Sequence, residues 1–209
     1  MPSDFVKVWD PVVRVFHWSL VLAFAVAYLT GDEALAVHVW AGYAVGGLVV
    51  LRVIWGFVGP HNARFSDFVF GPAAVLDYLR GLLTFRSRRY LGHSPAGGAM
   101  VLALLVGLGA LVGTGLVTYA VRENAGPLAG IVTVGQPTQA TGNLPAGTQA
   151  GAVRTRKPGA GWKDTHELIA NIILVLIGFH IAGVLIASVA HRENLIGAMI
   201  TGRKRTESH

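Results

Sequence analysis

Residues 166–180 read HELIANIILVLIGFH, an apolar run bracketed by two histidines. Apolar residues continue from His180 to Ala190, so the segment over about 165–190 is long enough to cross a hydrocarbon core of about 30 Å. His166 and His180 are fourteen residues apart. On a helix that spacing separates them by about 21 Å along the axis and leaves them on nearly the same face. An ionisable side chain at membrane depth is costly and marks a functional site by default, so the segment is both a span and a candidate site.

Three other stretches have the same character: about 11–29, 34–58 and 96–121. Asp10 suits an N-cap and Pro11 the first helical position, which fixes where the first span opens. That span is long, carries an embedded His17-Trp18 pair and lacks a small-residue cleavage pattern, so it reads as retained. Composition agrees with four spans. Of 209 residues 53% are hydrophobic and 13% charged, where soluble domains carry about 25% charged residues. The expected fold is all-α, an integral membrane four-helix bundle forming one domain over 1–209. Asp164 and Glu167 have capping-box spacing and predict the fourth helix to start just before His166. Pro72 to Leu83, with Val75, Leu76, Leu79, Leu82 and Leu83 interleaved with Asp77 and Arg80, predicts a short interfacial helix between the second and third spans. About 123–161 is rich in Gly, Ala, Thr and Pro without periodicity, and reads as an external loop.

The net charge is +6. Basic residues flanking apolar spans reflect insertion orientation and anionic lipid rather than nucleic acid. Lys7, Arg14, Arg64, Arg80, Arg86, Arg88, Arg89, Arg192, Arg203, Lys204 and Arg205 fall on one side if the helices alternate. That side is expected to be cytoplasmic and to hold both termini. The other side carries Asp32-Glu33, but also Arg154, Arg156, Lys157 and Lys163. The chain has no cysteine, which excludes disulfides, thiolate-ligated iron–sulfur clusters, thiolate zinc and covalent haem attachment.

Two more histidines lie inside spans. His38, near the outer end of the second helix, is level with His166, whereas His17, about two turns into the oppositely running first helix, is nearer His180. The depths predict an inner pair, His17 with His180, and an outer pair, His38 with His166. Imidazole is a common axial ligand of haem iron, so two bis-histidine, noncovalent haem sites follow. Gly42, Gly46, Gly178 and Gly183 leave room beside these histidines for a macrocycle or a close helix. Arg52 lies fourteen residues after His38, on the same face at inner depth, where haem propionates would supply a counter-ion. Arg14, one turn before His17, is a second candidate for that role. His61, His93, His191 and His209 fall outside the spans; His93 is a candidate for a quinone pocket or for capping the third helix.

The segments Val8-Trp9-Asp10-Pro11 through His17-Trp18, His38 with Gly42-Tyr43, Arg52 through Trp55-Gly56, Arg89-Tyr90-Leu91-Gly92-His93-Ser94-Pro95, and His166 with His180 resemble the bacterial cytochrome b561 family. The related cytochrome b subunits of nickel-iron hydrogenases share them. The likeness covers roughly 5–121 and 162–195; the segment from about Asn124 to Gly161 is longer than the family pattern needs. The resemblance implies two b haems carrying electrons across the bacterial inner membrane between a quinone pool and a redox partner. Ligand roles carry over onto His17, His38, His166 and His180.

The expected cofactors are two haem b, with ubiquinone or menaquinone as candidate substrate. Expected partners are membrane lipid, quinone and a periplasmic c-type cytochrome or other redox subunit; a homodimer is a further candidate. One alternative is a stand-alone superoxide:quinone oxidoreductase drawing the anion to Arg154, Arg156, Lys157 and Lys163. Another is a haem-free proton or metal transporter, against which stands the lack of acidic residues in mid-span.

Overall fold

The structure, a computed structural model, describes residues 5–31, 33–84, 86–132 and 159–205. In chain order they form β1 (Phe5–Lys7), α1 (Pro11–Thr30), α2 (Leu35–Val58), α3 (Pro72–Leu83), α4 (Pro95–Glu123), α5 (Ala160–Ala190), α6 (Leu195–Thr201) and β2 (Arg203–Arg205), with a 3-10 turn at Phe65–Asp67. α1, α2, α4 and α5 are long and apolar enough to cross a membrane. The fold is therefore the helical membrane bundle expected, with α3 between the second and third spans. Residues 133–158, which include most of the expected external loop and Arg154, Arg156 and Lys157, lie outside the described residues, as do Asp32 and His209.

Helix starts follow local chemistry. Asp10 Oδ1 accepts from the backbone N–H groups of Val12 and Val13 at 2.9 and 3.1 Å, and Pro11 opens α1 with no donor to satisfy. Ser94 Oγ accepts from Gly97 N at 3.2 Å and Pro95 opens α4 in the same way. α5 differs from expectation. It begins at Ala160, capped by Gly159 in a left-handed conformation (φ 78°), so Asp164 is interior and makes no capping box. Glu167 instead pairs with Lys163 at 2.9 Å, one turn back. Residues 160–165 are compatible with helix, and the i,i+4 ion pair adds roughly 0.2–0.5 kcal/mol to the extra turn.

α1 packs on α2, α4 on α5, and α2 joins the two hairpins through α4. Buried Val45, Val49, Leu108 and Ile173 form the mid-bundle core, with Leu104, Val112 and Ile177 packed against it. Leu22, Phe57, Val106 and Phe179 are exposed on the outside, as a surface facing lipid requires.

The end carrying β1 and β2, the basal end, is closed by elements not foreseen in the sequence. β1 and β2 pair antiparallel, Phe5 opposite Arg205 and Lys7 opposite Arg203. The N–H groups of Val8 and Trp9 donate to Gly202 O at 2.9 and 3.2 Å. Beneath them Val8, Trp9, Val13, Ala63 and Ala198 form a second core, and Tyr78, Leu82 and Ala187 fasten α3 to α5. The opposite, apical end carries the α1–α2 turn and the start of α5.

Candidate haem sites

Two histidine pairs sit one above the other in the bundle. At the apical level, the rings of His38 on α2 and His166 on α5 have centroids 6.0 Å apart and planes at 85°. At the basal level, His17 on α1 and His180 on α5 are 6.4 Å apart at 53°. The fourteen-residue spacing on α5 sets the two levels, and Ile173, with no exposed surface, stands seven residues from each histidine.

The apical imidazoles are held through their second nitrogens. His38 Nδ1–H donates to Ala27 O at 2.8 Å, and His166 Nδ1–H to Leu111 O at 3.1 Å. Thr114 Oγ1 lies 3.2 Å from His166 Nδ1 while its own hydroxyl donates back along α4, so it acts as a further acceptor. A carbonyl only accepts, so both rings carry the Nδ1 proton and keep Nε2 unprotonated, the form that binds metal. The basal pair has no such support. His17 Nδ1 is buried without a hydrogen-bond partner, and among the described residues none is found for His180.

Bonds of about 2 Å from metal to nitrogen, with about 1 Å more to each ring centre, put two imidazoles on opposite sides of one iron about 6 Å apart. Both pairs fit that distance. Among the described residues no group of three or more His, Cys, Asp or Glu is gathered as a bare ion would need. Each pair thus offers two ligands and leaves the remaining coordination to a cofactor, the donor set that suits a porphyrin iron.

In the basal half of α2, Arg52 is only 3% exposed. Its guanidinium lies 5.3 Å from the Phe65 ring centre and 5.6 Å from that of Phe68. Gly56 makes this possible, because a Cβ there would meet Phe65 at 2.1 Å. No carboxylate among the described residues lies within ion-pair distance, and Nη1 has no partner. Trp55 Nε1 and Arg14 Nε are buried and unpartnered as well. Arg14 is partly committed elsewhere, donating through Nη2 to Ile200 O in α6. Buried donors without acceptors are rare, and here they gather at the basal end of the bundle.

The model of the prokaryotic cytochrome b561 family matches residues 8–202. The chain belongs to that family. No curated protein and no solved structure matches it closely enough to count as a relative. Family membership makes the protein a membrane b-type cytochrome that binds haem b and acts in electron transfer.

His93 is placed beside the basal site of the cytochrome. Its ring packs on Trp9 at 4.7 Å and on Phe68 at 4.4 Å, and its Nδ1 is buried without a partner. Burial, reinforced by the charges of Arg52 and Lys204, pushes its pKa down to about 3, so the ring is neutral. It caps no helix; Ser94 caps α4.

Sequence reasoning missed a buried ionic cluster at the basal end. Glu193 Oε1 accepts from Arg89 Nη2 at 3.0 Å, and Lys204 Nζ lies 3.9 Å from Glu193 Oε2 and donates to Tyr90 O at 3.3 Å. Lys204 is 5% exposed, and burial holds its ammonium below the usual lysine range despite Glu193. His191, beside the cluster, lies within hydrogen-bond reach of Tyr78 and Ser87. The cluster clamps β2 against the loop before α4. Its only sequence signal was the presence of charges in two flanking segments.

Proposed function

We propose that the protein is a dihaem electron relay in the bacterial inner membrane, with both termini cytoplasmic, passing single electrons between the quinone pool and a redox partner on the outer side. His38 and His166 ligate one haem b, His17 and His180 the other. The observation that carries this reading is the stacking of two imidazole pairs, each at the spacing one iron requires.

Each haem supplies a one-electron iron couple when bound. The chain does the rest. Four histidines from three helices fix the two sites at different depths, and the Nδ1 hydrogen bonds of His38 and His166 set which nitrogen faces the metal. Val45, Val49, Leu108 and Ile173 fill the bundle between the sites, excluding water and keeping the dielectric low. Arg52, with the free donors of Arg14 and Trp55, would hold the propionates of the basal haem. Apolar side chains on all sides supply no acid at mid-depth, which favours electron over proton traffic through the core and disfavours the haem-free transporter.

The test is the pyridine haemochrome of the purified protein together with four variants. Two haem b per chain are expected. His17→Ala and His180→Ala should each remove one spectral component, and His38→Ala and His166→Ala the other. If His17→Ala and His38→Ala abolish the same component, the pairing is wrong.

A further inference from the structure

The two histidine pairs are built alike in ligand and spacing but differently in everything around them. The apical imidazoles give their Nδ1 protons to Ala27 O and Leu111 O, with Thr114 Oγ1 a further acceptor for His166. Hydrogen bonding of the distal N–H to a carbonyl makes the ligating nitrogen more basic, and a more basic ligand favours the ferric state. At the basal level His17 Nδ1 finds no acceptor. Its imidazole is the weaker electron donor.

Fixed charge acts in the same direction. The buried guanidinium of Arg52 lies at the basal end, packed over Phe65 and Phe68, the ring of the latter stacked on His93, with the Nε–H of Arg14 and Nε1–H of Trp55 also unpartnered at that end. Positive charge and N–H dipoles in a low-dielectric surround favour the site that has gained an electron. Propionates bound there would offset part of this charge, yet a site lacking Arg52 would carry them uncompensated. At the apical end the cations among the described residues are Lys163, half-exposed and paired with Glu167, and Arg122, exposed. Solvent and salt screen both. The acids described at the basal end have other partners: Asp10 caps α1 and offsets part of the Arg52 charge from beyond ion-pair distance, Asp67 accepts from Asn62 N, Asp77 pairs with Arg80, and Glu193 is held by Arg89 and Lys204.

We infer that the haem at the His38–His166 pair has the lower reduction potential and the haem at the His17–His180 pair the higher, with Arg52 acting on the basal haem directly and Thr114 acting through His166 as a positioning residue. The inference rests on the dihaem reading. Its consequence is a direction: one electron passes downhill from the apical to the basal site, one iron losing the electron that the other gains, with no proton transfer needed. The basal end is then where an electron acceptor is reduced, and the apical end where a donor delivers.

The experiment is a spectroelectrochemical redox titration of the full-length protein in detergent, assigned with His38→Ala and His17→Ala. The component surviving in His38→Ala should have the higher midpoint potential. Arg52→Gln should lower the potential of that component alone, and Thr114→Val should raise that of the other alone. If the histidine variants lose both haems, the selective shifts in Arg52→Gln and Thr114→Val carry the assignment. Two haems with the order reversed, or Arg52→Gln moving the lower-potential component, would overturn the ordering and leave the dihaem reading intact. A single haem per chain would remove the dihaem reading itself.

Discussion

The His166 imidazole rests on the backbone of Gly115: a Cβ at that position would lie 3.0 Å from the ring's Cε1. Together with the Nδ1 bond to Leu111 O, this contact fixes the ring's position from the α4 side. In Gly115→Ala the ring must yield by a few tenths of an ångström, at a cost of about 1–3 kcal/mol if it cannot. Gly115→Val should displace it altogether. The haemochrome ratio should then fall from two haems to one, with loss of the same component that His38→Ala removes; an unchanged ratio would mean His166 is not held by this contact.

Arg52 is expected to retain the basal haem. A charge-assisted hydrogen bond to a buried propionate is worth about 1.5–3 kcal/mol, so Arg52→Gln should speed transfer of that haem to an apoprotein acceptor by roughly tenfold or more. Lysine should rescue poorly, because it lacks the planar fork that binds a carboxylate at two points. Equal loss of both haems would count against a local role.

Ile173 fills the centre of the bundle between the two levels. Ile173→Ala should cost about 2–5 kcal/mol, and Ile173→Val about 0.5–1.5 kcal/mol. Chemical denaturation in detergent, followed at the haem bands, measures both. A near-zero effect of Ile173→Ala would mean that neighbours such as Leu108 collapse into the space.

His93 should make stability pH-dependent. Its folded pKa is about 3, below the ordinary 6.5, so the unfolded chain binds a proton that the folded chain refuses. Stability from this group is present above pH 6.5 and is lost progressively as pH falls from there towards 3. His93→Gln should flatten that slope. A wild-type slope unchanged by the substitution would show that other groups produce it.

Glu193 is shared by Arg89 and Lys204, and its side chain is 8% exposed. Removing one member of a buried ionic cluster typically costs about 3–5 kcal/mol, because the partners stay buried without compensation. Glu193→Gln should release β2 from β1 before the bundle melts. Faster hydrogen exchange at 203–205, with the span helices still protected, is the expected result; uniform protection would place the cluster's role elsewhere.

Much of this architecture is legible in the sequence because it depends on one-dimensional periodicity. Apolar runs of membrane length give α1, α2, α4 and α5, and a fixed rise per residue converts the His166–His180 spacing into two levels. Alternating helix direction then brings His17 level with His180 and His38 level with His166, as the ring distances show. What depends on contacts between distant segments was not legible. α5 starts at Ala160 because six more residues are free to be helical, not where Asp164 and Glu167 suggest. β1–β2 pairing, the commitment of Arg14 to Ile200, and the Arg89–Glu193–Lys204 cluster join residues more than a hundred positions apart, with the Glu193–Lys204 pair the exception at eleven. The acceptors for His38 and His166 are carbonyls of Ala27 and Leu111, and every residue has a carbonyl. Side-chain identity therefore determined the class, the spans and the levels of the histidines, whereas backbone groups with no sequence signature, brought close only by packing, decided how differently the two pairs are held.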